Sequence, residues 1–181
     1  MTTKKSDELA LVKRSISGDQ RAQLQLYRKY VTAMFNTAIR MVTNRADAED
    51  IIQEVFITVF QKLSSFRGES TLGAWIKRIT VNTTLNFIRQ RRDIYFLESE
   101  ALELKLDHEE KETIEPLFNM TQIHHAVKAL PEGCRLVFNL FLLEGYSHQE
   151  IATILSVSES TSKTQYRRAK ILVAKNLKAK S

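Results

Sequence analysis

The chain reads as all-α, with two small helical domains joined by a flexible acidic linker. Three observations predict this. Only five glycines and two prolines occur in 181 residues, and alternating β-branched runs are few. Apolar residues recur instead at steps of three and four through most of the chain. Between Glu98 and Glu115, eight acids stand against only Lys105 and Lys111, a block that resists packing and ends at Pro116. The expected boundaries are 1–93 for the first domain, 94–118 for the linker and 119–181 for the second domain.

The first helix is expected from Ser6 to Ser17, with Leu9, Val12 and Ile16 on its inner side. Gly18 stops it and Asp19 caps the next, the usual pairing of a C-terminal glycine with an N-cap acid. The second helix, to about Val42, puts Tyr27, Tyr30, Val31, Met34, Phe35, Ala38 and Val42 along a broad inner face. A third helix starts at Asp47 with two clean faces. Ala48, Ile51, Ile52, Val55, Phe56, Val59, Phe60 and Leu63 point inside; Asp47, Asp50, Gln53, Glu54 and Gln61 point outside. Acids at a helix start favour the positive end of its dipole, which accounts for Asp47 and Asp50. It accounts less well for Gln53 and Glu54, so a docking surface is the other reading.

A loop from Ser64 to Ser70 carries Phe66 and Arg67 and leads into a fourth helix ending near Arg92. Leu72, Trp75, Ile76, Ile79, Thr83 and Phe87 form its inner stripe, with Trp75 as a core anchor. Lys77, Arg78, Arg89, Arg91 and Arg92 sit outward or at the C-terminal end, where positive charge also suits the dipole. Asn82 and Asn86 are poor choices for a helix interior. Their amides either read bases or bond neighbouring helices. The run 101–106 within the acidic block is itself helical in pattern and could order on a partner.

The second domain opens near Asn119, with Ile123, Ala126, Val127 and Leu130 on one face. His124 and His125 are sequence neighbours and point apart, a poor metal pair. Pro131 suits a helix start, where its missing N–H costs nothing. Leu136, Val137, Leu140, Phe141 and Leu143 are expected to bury, and Gly145 to end that helix.

Then come two short helical patterns at a tight polar joint, Tyr146 to Lys175. Ser147 and Glu150 form a capping box, and Ile151, Ala152 and Leu155 come next at helical spacing. The turn is Ser156-Val157-Ser158, with Val157 plugging inward and Ser158 capping the last helix. In that helix Ser162, Tyr166, Ala169 and Val173 share the packed face, which leaves Lys163, Thr164, Arg167, Arg168 and Lys170 on the other. Such side chains donate to phosphates and to purine edges in a major groove. The segment is a helix-turn-helix.

The formal charge of +6 and a pI near 9.5 suit a polyanionic partner. The single cysteine, Cys134, excludes an internal disulfide or a cysteine-rich zinc site, and its apolar neighbours suit a buried structural thiol. The start, MTTKKSDELALVKRS, lacks the apolar core of a signal peptide, and no stretch is long enough to span a bilayer, so a cytoplasmic protein without membrane insertion is expected. No metal-ligand cluster, phosphate-binding glycine loop or nucleophile-base pairing stands out, so no cofactor, no metal and no enzymatic activity are expected.

Three strings resemble a known family: DAEDIIQEVF at 47–56, SFRGESTLGAWIKRITVNTTLNFIR at 65–89, and LPEGCRLVFNLFLLEGYSHQEIATILSVSESTSKTQYRRAK at 130–170. In this order and separation the chain, from about Asp7 to Leu177, is similar to the sigma factors of bacterial RNA polymerase. It resembles the small extracytoplasmic-function (ECF) subfamily, which has only regions 2 and 4. The resemblance implies a non-catalytic subunit that binds core polymerase and directs promoter-specific initiation at −10 and −35 elements. A free-standing helix-turn-helix regulator is the alternative; it would leave the Asp47 to Glu54 surface and the Phe66 loop without a purpose.

By position, the resemblance assigns Asp47, Asp50, Gln53 and Glu54 to the surface that grips the β′ clamp helices. The Phe66–Arg67 loop matches the segment holding a flipped −10 base, and Asn82 a residue facing the single strand. Lys77, Arg78, Asn86 and Arg89 would follow that strand. Lys163, Thr164 and Arg167 match positions entering the −35 major groove, Arg168 lies nearer the backbone, and Ser158, Ser160 and Lys170 complete that surface. The implied partners are core polymerase, through its β′ clamp helices and β flap, promoter DNA as duplex and single strand, and an anti-sigma factor. Two departures stand out. Ser162 replaces a common valine, so a less firm seat for the recognition helix is expected, and Gln165 replaces a common basic residue.

Overall fold

A computed structural model describes residues 2–91 and 119–178, with side chains described from Asp7 onward. The expected linker, 94–118, lies outside the described residues; the helix expected to start at Ser6 already runs from Thr2, so Ser6 lies within it and is not its cap. Among those described there are eight α-helices and no strand. The chain divides into two compact units, Met1–Asp93 and Ile94–Ser181.

The first unit packs four helices: α1 (Thr2–Ile16), α2 (Gln20–Val42), α3 (Arg45–Lys62) and α4 (Leu72–Arg91). Gly18, at φ +86°, takes the left-handed turn that ends α1, and Asp19 accepts hydrogen bonds from the Arg21 and Ala22 amides at the start of α2. The inner face of α1 differs from the expected one. Leu9 and Ile16 are 42% and 49% exposed, while Leu11, Val12 and Ser15 are buried. Ser15 can face inward because its hydroxyl donates to its own helix at the Leu11 carbonyl, 2.8 Å away, so no bare polar group enters the core.

On α2 the deepest residues are Ala22, Leu26, Ala38 and Met41; Tyr27 remains partly exposed and packs edge-on against Phe56 at 4.7 Å. Helix α3 begins at Arg45 rather than at Asp47, and Asn44 caps it, accepting from the Ala46 amide at 2.9 Å. The inside of α3 is as expected, with Ala48, Ile51, Ile52, Val55, Phe56 and Val59 buried. On α4, Leu72, Ile76 and Thr83 are buried, whereas Trp75, Ile79 and Phe87 are half-buried beside them. Thr80 and Thr84 join the core by donating to Ile76 and Thr80 carbonyls at 3.0 and 2.8 Å.

The second unit contains α5 (Met120–Lys128), α6 (Glu132–Phe138), α7 (His148–Leu155) and α8 (Glu159–Lys178). Asn119 and Gln122 form a capping box at α5. Pro131 is the N-cap residue of α6 and not its first helical residue. Beyond Phe138 the structure departs from the sequence pattern: α6 widens into a π-helical turn, Asn139–Leu143, closed by the Glu144 amide donating to Asn139 O at 3.0 Å. The wider turn rotates the end of the helix, so Leu143 is exposed at 45% instead of buried. Gly145, at φ +79°, then reverses the chain into α7.

Candidate nucleic-acid interface

The joint between α7 and α8 is built from short polar side chains. Ser147 Oγ accepts from the Glu150 amide at 3.2 Å, and Glu150 Oε2 accepts from the Ser147 amide at 2.8 Å. Two of the amides that a helix start leaves free are thereby satisfied. Ser156 adopts the left-handed conformation at φ 57°, and Val157, half-buried, donates its amide to Ala152 O. Ser158 Oγ caps α8 by accepting from the Thr161 amide at 3.0 Å. The Ser160 hydroxyl lies 2.7 Å from that same oxygen, so both candidate serines are engaged within the turn.

Helix α8 has two chemically opposite faces. Ser162, Gln165 and Ala169 are buried, and Tyr166 and Val173 are half-buried beside them. Lys163, Thr164, Arg167 and Lys170 are exposed. Lys163 forms an ion pair with Glu159 at 2.7 Å, which holds the Glu159 carboxyl below its ordinary pKa. Lys170 sits 5.2 Å over the Tyr166 ring. Arg168 is half-buried, and its Nε has no hydrogen-bond partner among the described residues. Arg167 and Thr164 are exposed and carry no side-chain hydrogen bond or ion pair among the described residues.

Two side chains to which the sequence pattern assigns no such role hold this face in place. His148 Nδ1 lies 2.8 Å from Ser162 Oγ, and the His148 ring stacks on Phe141 at 4.3 Å and 13°. Burial, then the neighbouring Lys163 charge, depress the His148 pKa, against an opposing pull from Glu159. On the same buried face Cys134 Sγ donates to Gln165 Oε1 at 2.9 Å. Burial pushes the Cys134 thiol up, so it stays protonated and able to donate. Ser162 is therefore hydrogen-bonded rather than loosely seated, and Gln165 belongs to the core rather than to the basic face. Helical spacing signals the second point, since Gln165 falls three residues after Ser162 and four before Ala169.

In the first unit the candidate groups are spread over two helices and a loop. Asp50, Gln53 and Glu54 are exposed on one face of α3. Asp47 differs: its carboxylate accepts from Arg91 near the end of α4, and the Arg91 guanidinium also covers the Phe87 ring at 4.4 Å. Along α4, Arg78, Asn82, Asn86 and Arg89 are exposed at steps of four, four and three, which places them on one face. Neither Asn82 nor Asn86 bonds a neighbouring helix among the described residues. Lys77 is half-buried beside them. In the loop, Arg67 is exposed, whereas Phe66 is half-buried with its ring 5.5 Å from Trp75.

The described residues contain no group of three or more His, Cys, Asp or Glu able to hold a metal. No helix among them is long and apolar enough to cross a membrane.

Comparison with known proteins bears on both units. The family model for Sigma-70 region 2 matches residues 26–94, and that for Sigma-70 region 4 matches residues 120–172. The RNA polymerase sigma-H factor of Pseudomonas aeruginosa is 30% identical over 188 residues, covering 98% of this chain and 96% of that protein. The ECF RNA polymerase sigma-E factor of Escherichia coli is 32% identical over 170 residues, covering 88% of each. Among solved structures, CnrH in complex with the cytosolic domain of CnrY aligns at TM-score 0.54 and 25% identity, over 95% of this chain and 97% of that one. The sigma factor RpoE of Bartonella quintana, solved with the anti-sigma factor NepR, shares the fold at TM-score 0.55 and 24% identity, over 85% of this chain and 95% of that one.

Proposed function

The chain belongs to the sigma-70 family as an ECF-type RNA polymerase sigma factor, and on that premise we propose how its residues divide the work of promoter recognition. It binds core RNA polymerase and directs initiation at specific promoters, as its family does. It acts in the cytoplasm as a specificity subunit that performs no catalysis itself.

The first unit, 1–93, docks on polymerase and handles the −10 element. Asp50, Gln53 and Glu54 form the core of the face offered to the β′ clamp helices, and Asp47 sets its edge while paired with Arg91. Arg78, Asn82, Asn86 and Arg89 track the displaced strand along one side of α4, with Lys77 at its margin. The loop bearing Phe66 and Arg67 receives an extruded base, whose unstacking is repaid by contacts in the pocket.

The second unit, 119–181, reads the −35 duplex through Lys163, Thr164 and Arg167, while Arg168, Lys170, Ser158 and Ser160 approach the backbone. Segment 94–118 tethers the two. Neither contact set suffices alone; holding both on one polymerase raises the effective concentration of the second contact once the first is made. An anti-sigma partner, such as the one solved with the Bartonella factor, restrains the protein until it is needed.

The observation that carries this reading is the opposition of faces on α8. The side that packs is fixed by Ser162, Gln165 and Ala169, so Lys163, Thr164 and Arg167 face outward together. The test is run-off transcription with reconstituted holoenzyme on genomic fragments, wild type against the double variant Gln53→Ala/Glu54→Ala. Wild type is expected to give discrete transcripts only with core enzyme, and the variant to lose assembly with core while keeping its helix content. Tight promoter binding by the free chain that ignores core enzyme would overturn the proposal.

A further inference from the structure

Helix α8 carries a single acid, Glu159, among six basic residues. It stands in the first turn and is exposed, and Lys163 and Arg167 follow it at steps of four, so the three form one row along the helix. A carboxylate in that row meets a surface dense in phosphates, which repel it. Its structural uses are small. The start of α8 is already capped by Ser158 Oγ on the Thr161 amide, and a first-turn acid with an exposed partner four residues on adds little to stability. Glu159 Oε1 lies 2.7 Å from Lys163 Nζ, with the two side chains still 49% and 61% exposed. The row thus holds an acceptor and a donor side by side, both open to a further partner.

A base pair offers the complementary arrangement. In the major groove of a G·C pair, guanine O6 accepts and cytosine N4 donates, and the bond between them sets them about 2.9 Å apart. An ammonium over O6 and a carboxylate over N4 match that spacing with both polarities satisfied. The neighbouring atoms decide against an A·T pair. With the ammonium on thymine O4 and the carboxylate on adenine N6, the thymine methyl crowds the ammonium and the adenine N7 lone pair faces the carboxylate. In G·C, guanine N7 is instead a second acceptor for the lysine, and cytosine places no acceptor beside N4.

We propose that Glu159 and Lys163 read one G·C pair of the −35 element as a unit, Lys163 on the guanine and Glu159 on the cytosine. This rests on the proposed role of α8 as the −35 reader, and adds to it an acidic specificity residue and the base pair it selects.

The test uses full-length protein assembled with core polymerase. Binding is measured to a promoter found by run-off transcription, and to versions of it in which each −35 position carries each of the four base pairs in turn. Wild type should show a position at which G·C, in one orientation, binds roughly tenfold or more tighter than the other three pairs. Glu159→Ala and Lys163→Ala should each erase the preference at that same position, with preferences elsewhere changed less than about twofold. The double variant should lose little more than either. Glu159→Gln should move the choice on the cytosine strand toward adenine, because a glutamine amide pairs with adenine N6 and N7; this variant decides the matter if Glu159→Ala disturbs α8. A G·C preference that survives Glu159→Ala, equal loss at every position, or losses at different positions for the two residues overturns the pairing and leaves α8 as the reader. No base preference at any −35 position in wild type removes the reader, and the proposal with it.

Discussion

The His148–Ser162 bond sets the orientation of the recognition helix, and a double-mutant cycle measures it. His148→Phe keeps a flat ring on Phe141 and removes only the hydrogen bond; Ser162→Ala removes the other partner from a fully buried position. Ser162→Ala forfeits a net bond of about 0.5–1.5 kcal/mol and leaves Nδ1 unpaired, which costs roughly 1–3 kcal/mol if the site is dry. The His148 ring is only half-buried, so water offsets part of this and about 1–2 kcal/mol is expected. In a helical unit of this size that is a fall of roughly 4–8 °C in Tm for each kcal/mol. Removing both partners together should cost less than the two separate losses added, giving a coupling energy of about 0.5–1.5 kcal/mol. The chain's one tryptophan, Trp75, lies in the first unit, which separates the probes. Far-UV circular dichroism tracks both transitions, whereas tryptophan fluorescence tracks the first and should not move. Affinity of the holoenzyme for −35 duplex should fall in step with the coupling. Zero coupling together with unchanged −35 affinity in Ser162→Ala would refute the reasoning.

The same geometry sets other outcomes. Arg167→Ala should relax −35 base preference by about 1–3 kcal/mol while leaving the salt dependence nearly unchanged, whereas Arg168→Ala should reduce the salt slope by about one; promoter titrations across a salt series separate the two. The depressed His148 pKa fixes the sign of a pH effect. The folded state prefers the neutral ring, so its contribution is present above the unfolded value of about 6.5 and is lost as pH falls below it. The second unit should therefore melt earlier near pH 5.5 than near pH 7.5, and His148→Phe should abolish that difference; Glu8, Asp19 and Glu159, whose pKa values are also lowered, act in a more acidic window. A ring titrating above 6.5 by NMR would reverse the sign.

The features legible in the chain are those that repeat along it or act within a few residues. The Asp19 and Ser147–Glu150 caps, the inner face of α3 and the basic face of α8 all depend on local chemistry or on the 3.6-residue period. Features that depend on a partner distant in sequence are not legible. Asp47 looks like a free acid at a helix start, yet it is bound by Arg91, 44 residues away. On α1, apolar spacing places Val12 correctly but turns Leu9 and Ile16 inward, because it counts Ser15 as polar, when the hydroxyl closes on its own helix. The π turn at Asn139–Leu143 leaves no mark in hydrophobic spacing, since one wider turn shifts only the residues beyond it. For the site, residue types and faces are readable, while Phe66 resting on Trp75 and His148 bonding Ser162 are not.

Several buried polar groups are satisfied differently in the two units, and the difference is consistent with the proposed division of work between them. In the first, Ser15, Thr80 and Thr84 are satisfied within their own helices, four residues back. Such bonds say nothing about how one helix is rotated against another. In the second, Arg135 donates locally to the Leu130 carbonyl, but two polar contacts at α8 cross between elements: Cys134 to Gln165 over 31 residues, and His148 to Ser162 over 14. Both end on α8, three residues apart, so together they fix its rotation as well as its position. A slip of one residue would turn a helix by about 100° and aim Lys163 and Arg167 away from the groove. An apolar seat would tolerate small rotations more readily, because hydrophobic contact is not directional. A rigid duplex demands fixed aim from its reader. A single strand, the partner proposed for the first unit, adapts to the surface that receives it.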